Sequence, residues 1–169
     1  FGYIIYLTFL SAWMTAQSIN AEMITAIWLV LGFFICISPF IWRSIFAKFG
    51  NGIPLSMILI SISIGSVTPL LSPSFFILLF SAVIFGSSVF MAPGAITNFT
   101  RRNLPQEMWA YSISVFTVIF AISQTLGPYI AGLIGDYFDD IGMGLFASFI
   151  ILILGALISF FQKELTKHN

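Results

Sequence analysis

Charged residues are scarce in this chain. Six basic and six acidic residues among 169 make up 7% of the sequence, against roughly a quarter in an ordinary soluble domain. Hydrophobic residues account for 59%, which is more than the surface and core of a soluble domain normally contain. The formal net charge is zero, so there is no basic excess of the kind that binds nucleic acid. The composition therefore predicts a protein embedded in a lipid bilayer.

Cysteine and histidine each occur once, at Cys36 and His168. A single cysteine cannot form a disulfide within the chain, and one histidine in a polar C-terminal segment is too little for a metal site. We therefore predict neither a metal nor a cofactor. No Asp, Glu, Lys, Arg or His falls inside an apolar run, so the serines of Gly86-Ser87-Ser88 have no base to activate them. The sequence argues against an enzyme.

Six long apolar runs lie between the charged residues. A helix needs about 20 apolar residues to cross the hydrocarbon core, and the runs lack the alternation typical of barrel strands. We therefore predict an all-α membrane protein with six transmembrane helices in a single domain over residues 1–169. The predicted helices cover residues 1–18, 23–42, 53–71, 74–97, 109–135 and 142–162.

The gaps between the runs alternate in charge. Every second gap contains the basic residues, which are Arg43 and Lys48, then Arg101 and Arg102, then Lys163 and Lys167. The gaps between them contain only acidic residues or no charge. Because lysine and arginine accumulate on cytoplasmic loops, we predict that the basic gaps and the C-terminus face the cytoplasm.

Polar and aromatic side chains of the first and fifth runs fall within narrow arcs of a helix with 100° per residue. An amide in hydrocarbon is costly without a partner, so these faces should point into the bundle or a wet cavity. Two interpretations stay open, namely hydrogen bonds that hold helices together and the wall of a solute cavity. The predicted wall consists of Tyr3, Tyr6, Trp13, Gln17, Ser114, Thr117 and Gln124. For Ser81 and Ser88 in the fourth run, packing is the favoured interpretation.

Small residues and prolines also stand out. Small side chains let membrane helices approach closely, and the predicted packing positions are Gly127, Ala131, Gly132 and Gly135. A proline inside a helix removes a backbone donor and favours a kink. We therefore expect Pro93 and Pro128 to act as bending points.

The six runs and the short basic loop after the second resemble the C-terminal half of a major facilitator superfamily transporter. The fifth run adds the string from Gly127-Pro128 through Ala131-Gly132 to Gly135-Asp136, and is most similar to poorly characterised bacterial members. Each half of such a transporter is a 3+3 inverted repeat of six helices. The loop at 47–52 departs from the pattern, because it lacks the acidic residue and the final basic pair of the Asp-Arg-x-Gly-Arg-Arg signature.

The resemblance implies that the runs are helices seven to twelve, with the first, second, fourth and fifth around a central cavity. It also implies that the N-terminal half lies outside this sequence. The expected function is secondary transport of a small organic solute by alternating access in a bacterial inner membrane. Its partners would be the bilayer, the N-terminal half and the solute, with no nucleic acid. Because the predicted wall is uncharged, a neutral or amphipathic solute is favoured. A non-transporting membrane scaffold or assembly protein and an inactive truncated fragment remain alternatives.

Overall fold

The computed structural model describes residues 1–165, and every regular element in that part of the chain is helical. Two short 3-10 turns, Thr68–Leu71 and Gln106–Met108, extend α3 and precede α6. The positions of Lys167 and His168 lie outside the described residues. The α-helices are α1 (Gly2–Ala16), α2 (Ala21–Lys48), α3 (Ile53–Val67), α4 (Phe75–Gly86), α5 (Met91–Asn103), α6 (Trp109–Phe138) and α7 (Gly142–Phe160).

Five helical stretches of the described chain are long and apolar enough to cross a membrane, where the sequence predicted six. They make this an integral membrane protein. They are Ala21–Lys48, Ile53–Leu71, Phe75–Asn103, Gln106–Phe138 and Gly142–Phe160. The remaining predicted span corresponds to α1, which has 15 residues. It is only about 22 Å long, whereas the hydrocarbon core is roughly 30 Å thick. Its Gly2 carbonyl accepts a 2.6 Å hydrogen bond from Ser148 in the middle of α7, so α1 begins at mid-depth of the bundle.

The fourth run, predicted as one helix over 74–97, is divided into α4 and α5 by a turn at residues 87–90. Pro93 explains the break, because it has no N–H to donate to the Val89 carbonyl and its ring would clash there. In the structure Pro93 lies in the first turn of α5, where a proline costs no hydrogen bond. The predicted kink within one helix is therefore a boundary between two. Pro39 and Pro128, by contrast, lie inside α2 and α6.

The core lies where α1, α3, α4 and α7 meet. The most extensive packing is between α3 and α7, followed by α2 with α4 and α3 with α4. Tyr6, Leu10, Ile58, Phe85 and Leu145 are completely buried there. The helices α6 and α2 lie at the edge of the bundle. In the most apolar stretch of each span, 6% of the residues are buried in α6 and 17% in α2, whereas 50% are buried in α3.

The charged residues are sorted to two ends of the bundle. Arg102 donates from Nη2 to the carbonyls of Phe46 (2.9 Å) and Ala47 (2.7 Å) in the last turn of α2, where free carbonyls favour a cation. Asn103 joins the same corner by donating to the Gly50 carbonyl (2.7 Å) and accepting from the Leu165 amide (2.6 Å). We name the two ends by their residues: the basic end contains Arg43, Lys48, Arg101 and Arg102, and the acidic end contains Asp136, Asp139 and Asp140.

Candidate functional site

A cavity of about 280 Å³ lies between α5 and α6. Its walls are mostly aliphatic and aromatic, and none of its lining residues is ionisable. Phe116 and Thr117 are exposed, so the cavity opens on the uncovered side of α6. The lining residues are Ala92, Pro93, Ile96, Thr97, Ile113, Phe116, Thr117 and Phe120.

Two hydroxyls provide the polarity of the cavity. Thr117 donates from Oγ1 to the Ile113 carbonyl one turn earlier (2.8 Å), which leaves its oxygen able to accept from a solute. Thr97, on the facing helix, brings a second hydroxyl that can donate or accept. The arrangement suits a small solute of low polarity that makes one or two hydrogen bonds.

An aromatic cluster beside the cavity joins α1 to α6. The ring of Tyr3 stacks on Phe120, with centroids 5.6 Å apart, and meets Phe90 edge-on at 6.5 Å. The Gln124 amide donates a hydrogen bond to the Tyr3 hydroxyl. This bond satisfies an amide that would be costly in hydrocarbon and fixes Tyr3 against a residue of the cavity wall.

The family is decided by a comparison with known proteins. A family model described as "Uncharacterised MFS-type transporter YbfB" matches residues 1–160. The chain belongs to this family. It is a membrane transporter of the major facilitator superfamily, as the resemblance in the fifth run implied, and the family is one of transporters, not of enzymes. No curated protein and no solved structure matches the chain.

The predicted wall of this transporter is divided among several environments. Thr117 lines the cavity, and Tyr3 and Gln124 lie beside it through Phe120. Ser114 is exposed one turn away on α6 and donates to the Ala110 carbonyl (2.8 Å).

Tyr6 belongs to the packed core and does not line the cavity. It is 0% exposed, and its hydroxyl lies 2.7 Å from Ser81 Oγ. Ser81 in turn donates to the Gly65 carbonyl of α3 (2.6 Å), and the Tyr6 ring stacks on Phe85 at 3.8 Å. Tyr6 of α1 is therefore hydrogen-bonded to Ser81 of α4, and through Ser81 it is connected to Gly65 of α3. Ser88, in the turn between α4 and α5, donates to Ser61 Oγ (2.8 Å) and so connects that turn to α3.

Trp13 and Gln17 lie in a different place. They line a separate cavity of about 470 Å³ at the acidic end, together with residues 69–73, Asp140 and the first turn of α7. The stripe predicted on the first helix thus reaches three surroundings: the rim of the α5–α6 cavity, the core and the acidic end.

The small residues of α6 differ in how closely their neighbours approach. A Cβ on Gly127 would lie 2.8 Å from a side chain of α1, and one on Gly144 of α7 would lie 3.3 Å from the Ala131 carbonyl. Close helix contact therefore occurs at Gly127 and Ala131, both buried. Gly132 and Gly135 have more room, since the nearest atoms to an added Cβ would be 3.8 and 3.6 Å away.

Several residues of the cavity carry no polar pattern that would mark them in the sequence. Phe120 lies on the same helical face as Thr117 and Gln124, three and four residues away, but its apolar side chain was not part of a polar stripe. Thr97 follows Pro93 by one turn and so lies on the same face of α5. The sequence could indicate this shared face, but it could not indicate that the face would contact α6.

Proposed function

We propose that the chain is the C-terminal six-helix half of a secondary transporter that moves a small, neutral and largely apolar solute by alternating access. The observation that carries this proposal is the cavity between α5 and α6, which is uncharged, open to one side and equipped with two hydroxyls. A multiply charged solute would lose its hydration there without a partner of opposite charge.

The proposed six-helix half treats α4 and α5 as one broken crossing and α1 as part of another. Part of the helix packing supports an inverted 3+3 repeat, in which α1, α2 and α3 correspond to α4–α5, α6 and α7. The packing of α6 on α7 is outside this symmetry, since α2 and α3 do not pack comparably. Under that exchange the packing of α2 on α4 corresponds to that of α6 on α1. The packing of α3 on α4 likewise corresponds to that of α7 on α1. The α3–α7 contact, the most extensive in the bundle, corresponds to itself.

The proposed partner of the exposed α6 side is the N-terminal half of the transporter. The exposed side chains of α6 include Tyr111, Ser114, Thr117 and Tyr129. Hydroxyls at this density are unusual on a surface that meets only acyl chains, where each has no partner but its own helix. A second helical half or a wet passage would provide partners for them.

The proposed orientation puts the basic end in the cytoplasm of a bacterium and the acidic end on the other side of its inner membrane. Support comes from the bias of arginine and lysine to one end. The contacts of Arg102 and Asn103 bring the loop after α2, the end of α5 and residues 162–165 to that same end.

Solvent access to the cavity tests the proposal. Cys36 is exposed, so the full-length protein is first freed of this and any other cysteine. Thr117→Cys should then react with a membrane-impermeant thiosulfonate. The matched control, Leu154→Cys, is also exposed but lies on α7, which the proposal turns toward lipid, and it should stay unreactive. Equal labelling at the two positions would contradict a wet pathway along α6.

Transport itself is tested through Gln124. Cells with and without the full-length protein are screened for uptake or efflux of neutral aromatic alcohols and amides. For any solute moved, Gln124→Leu should lower the rate several-fold at unchanged membrane abundance, because Tyr3 loses its anchor next to Phe120.

The scaffold alternative makes the opposite predictions. If the protein is a scaffold, Thr117→Cys should not react with the thiosulfonate, and no solute should be transported. Substitutions on the exposed face of α6 should instead release a bound protein.

A further inference from the structure

We infer that the cavity at the acidic end is a second binding site, for a head group that carries an ammonium next to an oxygen acceptor. It is separate from the α5–α6 cavity and does not rest on the proposed transport function. The site lies among the end of α1, the 3-10 turn after α3 and the first turn of α7, and measures about 470 Å³.

The first observation is an indole donor without a partner. Among residues 1–165, three of the four tryptophans donate their indole N–H to a protein oxygen: Trp28 to Ser11 Oγ (2.8 Å), Trp42 to the Ser87 carbonyl (2.7 Å) and Trp109 to the Leu104 carbonyl (2.9 Å). Trp13 has no such partner in this part of the chain. It is nevertheless only 6% exposed.

The Trp13 N–H remains open to the cavity. In the described chain, Thr100 Oγ1 is the only side-chain donor or acceptor that is completely enclosed and lacks a partner. Trp13 Nε1 also lacks a partner, so it must be partly accessible. Trp13 lines this cavity. A buried tryptophan normally finds a partner for its N–H. A bound molecule with an acceptor oxygen would supply it.

The second observation is a carboxylate close to this donor. A Cβ on Gly142 would lie 3.1 Å from Asp140 Oδ1 and 3.3 Å from Trp13 Nε1, so these two atoms are no more than about 6.4 Å apart. Asp140 Oδ1 already accepts from the Gly142 amide (2.8 Å), and the carboxylate can accept further bonds. The Trp13 N–H and the Asp140 carboxylate therefore line the same cavity. The carboxylate can bind an ammonium, and the N–H can donate to an oxygen next to it.

The rest of the lining suits an amphiphile. Leu70, Leu71 and Phe146 form an apolar border, of which Leu71 is 75% exposed, and Gln17 adds an exposed amide. Tryptophan is typical of the membrane–water interface. The head-group chemistry is shared by a zwitterionic phospholipid and by a free water-soluble solute, and the experiment separates these sources.

The test measures retention of lipid by native mass spectrometry on the full-length protein in mild detergent. The probes are phosphatidylethanolamine and phosphatidylglycerol with the same acyl chains. The protein should retain the ethanolamine lipid about tenfold better. Asp140→Asn should remove this preference, since a hydrogen bond to a charged group accounts for about tenfold in affinity. Trp13→Phe, which keeps the ring and removes the N–H, should weaken retention about fivefold.

Two matched variants serve as controls. Asp136→Asn removes a carboxylate of the same acidic end that does not line this cavity, and Trp28→Phe removes an indole N–H that is already bonded to Ser11. Both should retain the ethanolamine lipid as the wild type does.

A third arm separates the two sources. If glycerophosphoethanolamine without acyl chains binds alone and displaces the lipid, the site takes a free solute; if it does neither, the site takes the lipid. Both results support the inferred chemistry. Equal retention of the two lipids with no binding of the soluble head group would overturn the inference. Full retention by both Trp13→Phe and Asp140→Asn would also overturn it, because the lipid would then bind elsewhere.

Discussion

Tyr3 and Tyr6 are three residues apart on α1, and they belong to two regions with different properties. Tyr6 is sealed in the core, where Ser81 and the Gly65 carbonyl complete its hydrogen bonding. Tyr3 faces α6, where it is bonded to Gln124 and stacked beside a cavity. The core region joins α1, α3 and α4 by short, fully enclosed bonds, whereas the α1–α6 region is bordered by the least buried helix of the bundle.

The difference teaches that the role of a polar side chain in a membrane helix depends on where its hydrogen-bond partner lies. Both tyrosines satisfy the need for a hydrogen bond in a medium without water, and both were predicted as cavity wall. One finds its partner at an interface with no room left, and the other at an interface with an opening. Substitutions in the two regions should therefore affect different measurements.

The largest effect is expected at Gly65 in the core region. A Cβ there would lie 2.8 to 3.0 Å from the backbone and Cβ of Phe85, and these atoms cannot move without separating α3 from α4. Gly65→Val should cost more than about 3 kcal/mol and abolish the monodisperse peak in detergent chromatography. The control is Gly32→Val, where nothing lies within 4 Å of an added Cβ. Equal recovery of the two variants would show that the core tolerates a larger side chain.

A smaller loss is expected for Ser81→Ala. This change removes the bonds to Gly65 and Tyr6 and leaves a buried phenol hydroxyl without a partner, at a cost of about 1–2 kcal/mol. The thermal midpoint of the purified protein is the measurement. Ser114→Ala removes an exposed hydroxyl bonded only within its own helix and should change stability by less than about 0.5 kcal/mol. A Ser114→Ala midpoint as low as that of Ser81→Ala would reject the contrast between the regions.

The two tyrosines can be compared directly by removing each hydroxyl. Tyr6→Phe should lower stability by about 1 kcal/mol and leave the transport rate per folded molecule unchanged. Tyr3→Phe should lower that rate several-fold through loss of the Gln124 bond, with a smaller change in stability. Rates normalised to folded protein check both expectations, and a loss of rate in Tyr6→Phe alone would reverse the roles assigned to the two regions.

The smallest effects are expected for glycines along α6. Gly127→Ala pushes a methyl to 2.8 Å from an Ile4 side chain and 3.1 Å from the Phe1 carbonyl oxygen. The packing cost of about 2 kcal/mol should exceed the gain in helix propensity, so this variant should be less stable by about 1 kcal/mol. Gly132→Ala meets nothing nearer than 3.8 Å and should stabilise slightly through helix propensity, by up to about 1 kcal/mol. The thermal midpoints should therefore shift in opposite directions. Shifts of the same sign would mean that α6 packs differently from the way described.

Much of the fold could be predicted from the sequence, because the bilayer imposes a simple rule. Long uncharged runs must be helical in hydrocarbon. The runs at 23–42, 53–71 and 109–135 are helical throughout, the second ending in a 3-10 turn, and the run at 142–162 is helical up to Phe160. The break before Pro93 was less visible, because an apolar run shows no gap where a proline merely ends one helix and begins another.

The site was harder to predict. The periodicity of α1 put Tyr3, Tyr6 and Trp13 on one broad arc, but an arc of about 100° is wide enough to reach several neighbouring helices. Phe120 and Thr97 gained importance only because α1 and α5 pack against α6. Nor could the sequence indicate that Trp13, alone among the tryptophans of the described chain, would lack a protein acceptor.

The sequence by itself determined that this protein is helical, that it lives in a membrane and that its charges are sorted to two ends, since hydropathy and charge act on each residue's contact with lipid or water. Only the tertiary structure decided which polar groups hold the bundle together and which border an opening. These roles depend on the distances between side chains of different helices, which cannot be calculated from the properties of any single helix.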